Sequence, residues 1–136
     1  MQVKAELIDG YKSKINSGRG HEIITDLPES LKGTDQGATA LELTVMSLAG
    51  CISTIFAMVA GNSGVQFVNL EVEINADKPK DQKTIVSASA KVNVKSDAPK
   101  EKLERILEKT MSICPVGLIF EKAGIKVETE LITDGL

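Results

Sequence analysis

The chain has little of what several functional classes require. It carries one histidine and two cysteines with no Cys-x-x-Cys spacing, so no metal site is expected, since such sites gather three or four close-spaced ligands. Two cysteines in 136 residues are too few for a secreted disulfide scaffold, and in a reducing compartment a thiol pair points to redox chemistry before structure. Basic residues number 16 against 19 acidic ones, net charge −3, with the signs interspersed. No nucleic-acid partner is expected from that balance. No basic stretch followed by an apolar one opens the sequence, so no export signal is visible and the expected location is cytoplasmic. There is no internal repeat or low-complexity tract, and the length fits one domain, residues 1–136.

What is present is one long apolar run, ATALELTVMSLAGCISTIFAMVAG from Ala38 to Gly61, with Cys51 in its middle. Gly37 precedes it and Gly61-Asn62-Ser63-Gly64 ends it, the punctuation of a helix. Thr39 and Glu42 have the spacing of a capping box, in which each side chain meets an otherwise unpaired backbone N–H. From Leu43 to Ala60 no residue is charged, so the helix needs cover from sheet, helices or a second subunit. Ser47, Ser53, Thr54 and the central Gly50 argue for a core helix over a membrane span.

The rest of the chain reads as α+β. Met1 to Asp9 alternates Val3, Ala5 and Leu7 inward with Gln2, Lys4 and Glu6 outward. Asp9-Gly10 then turns the chain into a second strand, Tyr11 to Asn16, and a third follows from Gly20 to Thr25. Leu27 to Gly37 reads as a loop. Phe67 to Ala76 and Thr84 to Lys95 alternate strictly around a charged turn, predicting a long hairpin with small alanines on its inner face. Asp97 is the expected N-cap and Pro99 the first residue of a helix that buries Leu103, Ile106, Leu107, Thr110 and Met111. Pro115 to Ala123 is the next helix and Ile125 to Thr133 the last strand.

The two cysteines differ in setting. Cys51 lies inside a helix with no charge nearby in sequence, whereas Cys114 is placed at a helix N-terminus, where N–H groups and the helix dipole favour a thiolate. The plainer reading, in which both pack as small apolar side chains, stands beside the chemical one.

GATALELTVMSLAGC and the later ICPVGLIFEKAGIKVE together resemble the two motifs of the OsmC/Ohr family, in the same order and within the same succession of elements. The resemblance implies antiparallel sheets packed around a long central helix and an intertwined homodimer. It also implies a thiol-dependent peroxidase that reduces organic hydroperoxides, is restored by a dithiol such as a lipoylated protein, and needs no cofactor. On that reading Cys51 matches the peroxidatic thiol and Cys114 the resolving one, with Arg19 of the Ser17-Gly18-Arg19-Gly20 turn matching the cation. Arg105, the other arginine, sits on a late helix; His21 reads as a surface residue.

The carboxylate departs from the family pattern. The place where the family has its glutamate is Leu41 here, and Glu42 lies nine residues before Cys51, about 180° around and about 13 Å along a straight helix. Glu42 therefore serves as a cap, or meets Arg19 or the partner subunit's site. Together with Ala-Thr-Ala in place of the usual proline, this suggests a divergent branch. The alternative from another class is a non-catalytic protein that holds a small apolar ligand at a dimer interface, its cysteines merely packed.

Overall fold

Alternation near the N-terminus becomes three strands in the computed structural model, which describes residues 1–136. Strands β1 (Lys4–Asp9), β2 (Lys12–Asn16) and β3 (Glu22–Thr25) form an antiparallel meander in that order. Gly10 takes φ +51° in the first turn, the left-handed region that a residue without Cβ enters at little cost. One expectation fails here. Every residue of β1 is exposed, and Val3 and Leu7, read as inward, keep 68% and 67% of their surface. Alternation specifies that one face is apolar; it does not supply the partner that covers it.

A carboxylate organises the following loop. Asp26 is buried and accepts from the Leu27 N–H at 2.8 Å, the Thr34 hydroxyl at 2.6 Å and the Thr34 and Gln36 N–H groups at 3.3 and 3.2 Å. The loop is thereby folded back over a single 3₁₀ turn, Glu29–Leu31. Gly33 is required in it, because a Cβ there would overlap the Leu27 carbonyl oxygen. These strands, the loop and the first helical residues form one compact unit, Met1–Thr44.

The second unit, Val45–Leu136, holds most of the long helix α1 (Ala40–Asn62), strands β4 (Asn69–Asp77), β5 (Ser87–Lys95) and β6 (Val127–Asp134), and helices α2 (Lys100–Ile113) and α3 (Pro115–Lys122). β4 and β5 pair antiparallel from Asn69 opposite Lys95 to Asp77 opposite Ser87, the expected hairpin. β6, however, runs parallel to β5, so the sheet is mixed where antiparallel sheets were expected. The cause is the connection: β5 reaches β6 through α2 and α3, a crossover of the kind that parallel neighbours require. The resulting register sets Lys91 opposite Glu73 on one side and Glu130 on the other. Opposite charges directly across strands favour that pairing.

The core of this unit joins Leu48, Ile52, Phe56 and Ala60 of α1 to Ala88, Ala90, Val92 and Val94 of β5 and Leu103, Ile106 and Leu107 of α2. The small alanines of β5 do face the helix core, as their spacing indicated. Phe56 meets Phe67 edge to face, centroids 6.3 Å apart. Asp97 does not cap α2; it accepts instead from the Leu136 N–H, and the helix starts at Lys100 behind Pro99 without a side-chain cap. The larger departure concerns α1. It is apolar all round, yet only the four residues one turn apart are buried within the chain, and Met46 and Met58 are each 56% exposed. By length and composition alone it could cross a membrane, but its buried stripe belongs to the core just described.

The hydrogen bonds to Asp26, that from the Thr34 hydroxyl foremost and against the opposing effect of burial, hold its carboxyl down to about 2 from 3.8. A carboxylate favoured in the folded state contributes stability above pH 3.8 that is lost as pH falls toward 2. Asp26→Asn is therefore expected to lower the thermal midpoint at pH 7, with the gap to the wild type closing between pH 4 and 2. A gap that stays constant over that range would contradict the assignment.

Candidate functional site

The site is made by a proline. Pro115 disfavours helical backbone at the residue before it, and Cys114 is accordingly extended, φ −65° and ψ 112°, between two helices. Its N–H still closes α2 by donating to the Thr110 carbonyl at 2.8 Å, and its own carbonyl accepts from Leu118 N–H at 2.9 Å in the first turn of α3. Pro115 takes the first helical position, where a missing N–H leaves nothing unpaired. Cys114 is thus the last cap of one helix and the first cap of the next.

That placement directs its side chain into the core, where it is fully buried. The sulfur accepts from the Gly117 N–H at 3.4 Å and donates to the sulfur of Cys51 at 2.8 Å. Both thiols are free. Residues 63 positions apart in sequence are thus in contact, and the distance left to a disulfide bond of about 2.05 Å is small. Cys51 is half-buried at the border of the buried stripe of α1, so of the two sulfurs it is the accessible one.

The thiolate expected at Cys114 from its helix-terminal position is not what the structure favours. Burial first, and the hydrogen bond with Cys51 second, push its ionisation up from 9.0 to about 11 against the smaller opposing effect of Gly117 N–H. Removing a charged sulfur from water outweighs one long N–H bond. Because the neutral thiol is favoured on folding, this contribution to stability is present below pH 9.0 and lost as pH rises toward 11.

The other anticipated residues lie in the first unit. Glu42 and Thr39 form the reciprocal cap: the Thr39 N–H donates to Glu42 Oε2 at 2.8 Å and the Glu42 N–H to Thr39 Oγ1 at 3.1 Å. Arg19 sits exposed in the turn between β2 and β3, its backbone N–H donating to Ser17 Oγ. No Arg19–Glu42 ion pair is formed within the chain. His21 is exposed in the same turn. No group of three or more His, Cys, Asp or Glu is placed to hold a metal. Gly117 escaped the sequence reading, although Cys-Pro-x-Gly contains its signal: a cap residue followed three positions later by an N–H within its reach.

Native protein treated with iodoacetamide at pH 7.5 is expected to be alkylated at Cys51 well before Cys114, with Cys114 reacting only above about pH 9 or after unfolding. Peptide mapping by mass spectrometry reads the order. Equal labelling of both at pH 7.5 would remove the distinction between an accessible and a buried thiol.

Comparison with known proteins places this geometry. Residues 33–130 match the family model described as OsmC-like protein. No match was found among curated protein sequences. Among solved structures, the OsmC-like protein from Mycoplasma pneumoniae superposes with a TM-score of 0.87 at 13% identity, over 98% of this chain and 96% of that one. OhrB of Bacillus subtilis, an organic hydroperoxide resistance protein, gives 0.66 at 17% over 96% of each. The organic hydroperoxide resistance protein OsmC from Legionella pneumophila gives 0.70 at 14%, over 98% of this chain and 95% of that one. With both units of the chain matched at such low identity, the fold is what these structures share with it, and the family match over most of its length shows that the chain belongs to the OsmC-like family.

Proposed function

We propose that this protein is a thiol peroxidase that reduces organic hydroperoxides, with Cys51 as the attacking sulfur and Cys114 as the resolving one. The observation that carries the reading is the 2.8 Å approach of an accessible thiol to a buried, protonated one. In the first step the Cys51 thiolate attacks the terminal peroxide oxygen. The O–O bond breaks, the alkoxide takes up a proton to leave as alcohol, and Cys51 becomes a sulfenic acid. In the second, the Cys114 sulfur displaces the hydroxyl, which leaves as water with the Cys114 proton, and a disulfide remains. A dithiol, of the lipoyl type that the family resemblance suggests, then restores both thiols.

Arg19 is assigned as the cation for the peroxide and Glu42 as the cap that fixes the start of α1. Because Arg19 carries no ion pair within the chain, its charge remains available to a substrate. The working form is taken as a homodimer. Its support is the exposed face of α1, where Ser47, Gly50, Thr54, Ala57 and Gly61 recur every three or four residues beside the exposed Met46 and Met58. Small side chains in that pattern let a second helix approach closely, and the apolar flanks need cover.

The test is turnover of cumene hydroperoxide with dihydrolipoamide as reductant. Cys51→Ser is expected to abolish it. Cys114→Ser is expected to consume one equivalent of peroxide and accumulate a sulfenic acid trappable with dimedone. Turnover that survives Cys51→Ser would overturn the assignment, and so would wild-type thiols that stay reduced under excess hydroperoxide. Ala57→Arg is expected to shift the sedimentation coefficient from dimer to monomer; an unchanged coefficient would remove α1 from the interface.

A further inference from the structure

Resolution asks something awkward of Cys114. Its sulfur must become electron-rich enough to attack, in a place where the residue has no exposed surface and where isolated charge is costly. We propose that the backbone N–H of Gly117 is the group that makes this step possible: it holds the negative charge developing on Cys114 Sγ as that sulfur attacks the Cys51 sulfenic acid, and again as it departs when the disulfide is reduced. The inference rests on the peroxidase reading for its reaction.

The geometry supplies the donor. Gly117 N–H points at Sγ from the first turn of α3 at 3.4 Å, a turn in which this N–H has no helical carbonyl to serve. Among the influences on Cys114 that favour its charged form, the Gly117 N–H is the larger and the Val116 N–H the smaller, and no side-chain cation contributes. The cation usually invoked for a reactive cysteine is here replaced by backbone dipoles. They are fixed by the fold and need no reorganisation when charge appears, which is the condition under which a donor lowers a barrier. In the step itself the S–O bond of the sulfenic acid breaks and the S–S bond forms. Cys51 sulfur is reduced, Cys114 sulfur is oxidised, and the thiol proton leaves with the hydroxyl as water.

Gly117 is not held to glycine by its conformation, since its φ is not positive. An added Cβ would lie 3.5 Å from Cys114 Sγ, Cys114 Cβ and Met111 Cε, ordinary contact distances. Gly117→Ala therefore keeps the N–H and serves as the control, while Gly117→Pro deletes the donor at the third helical position, where no helical hydrogen bond is lost but helical backbone at Val116 is disfavoured. A second variant avoids proline's backbone restriction. Cys114 is itself a ligation site, so a synthetic Cys114–Leu136 segment with an ester in place of the Val116–Gly117 amide, joined to residues 1–113, removes the N–H while changing no side chain and only weakening the Val116 carbonyl as an acceptor.

The experiment mixes each full-length protein with one equivalent of cumene hydroperoxide and follows sulfenic acid and disulfide by quenched-flow mass spectrometry. Wild type and Gly117→Ala are expected to form disulfide at rates within about twofold of each other. The proline and ester variants are expected to react with peroxide normally and then to resolve about tenfold more slowly, the effect of losing about 1.4 kcal/mol from one charge-assisted hydrogen bond. Wild-type resolution rates in the ester variant would overturn the inference. Should hydroperoxide leave the wild-type thiols untouched, the peroxidase reading fails and the thiolate absorbance of Cys114 in a Cys51→Ser background decides. A midpoint raised by the ester supports the donor role, and an unchanged one overturns it.

Discussion

The structure of the second unit turns on one backbone constraint, the extended conformation imposed at Cys114 by the proline that follows it. Were residue 114 helical, α2 would run on into α3 as a single rod. With ψ at 112° the chain instead closes one helix and opens another at the same residue. The crossover between β5 and β6 can then turn back, allowing β6 to lie parallel beside β5. The same bend drives the sulfur into the core against Cys51. Topology and chemistry therefore depend on one local preference that costs the chain no hydrogen bond, because proline stands where its missing N–H is not needed.

Burial then sorts two identical functional groups into different roles. Cys114 is buried in the same core cluster as Leu103, Ile106 and Leu107 of α2 and the β5 valines, and loss of hydration holds its proton. That proton is directed at Cys51, which stays partly open. A sequence in which both cysteines were equally exposed would have no built-in order of reaction. On the proposed reading the accessible sulfur would meet the oxidant first, and the protected one would respond only after its neighbour had changed. A helix N-terminus aimed at a buried sulfur does not by itself make a thiolate; its donors matter once charge is forced onto that atom by reaction.

What could be read from the sequence was local. The Thr39–Glu42 cap, the β4–β5 hairpin, the buried stripe of α2 and the Cys114-Pro115 junction each declare themselves within a few residues, and each is found. The direction of β6 is not local. Its alternation fits either neighbour relation, and only the crossover length speaks for parallel pairing. The clasp on Asp26 was equally invisible, because its donors lie one, eight and ten positions ahead in a stretch without periodicity. The meeting of Cys51 with Cys114 was anticipated through family resemblance, not spacing. Hydrophobic periodicity carries no information about contacts across 63 positions.

The exposure of α1 and β1 belongs to the same distinction. An apolar pattern states that water is to be excluded from a face; it is silent on whether the same chain does the excluding. On α1 the stripe Leu48, Ile52, Phe56 and Ala60 is covered from within, and the opposite face of small residues is not. Cys51 lies at the boundary between them. A subunit docked along the small-residue face would therefore leave the sulfur pair intact on its inner side while reshaping the approach to Cys51 from its outer side. In such an arrangement the reaction between the two sulfurs is a property of one chain, set by Pro115 and the core. On the proposed peroxidase reading, access of hydroperoxide would be a property of two chains. Substitutions on the outer face of α1 would then alter which peroxides enter without changing how fast the disulfide closes once one of them has reacted.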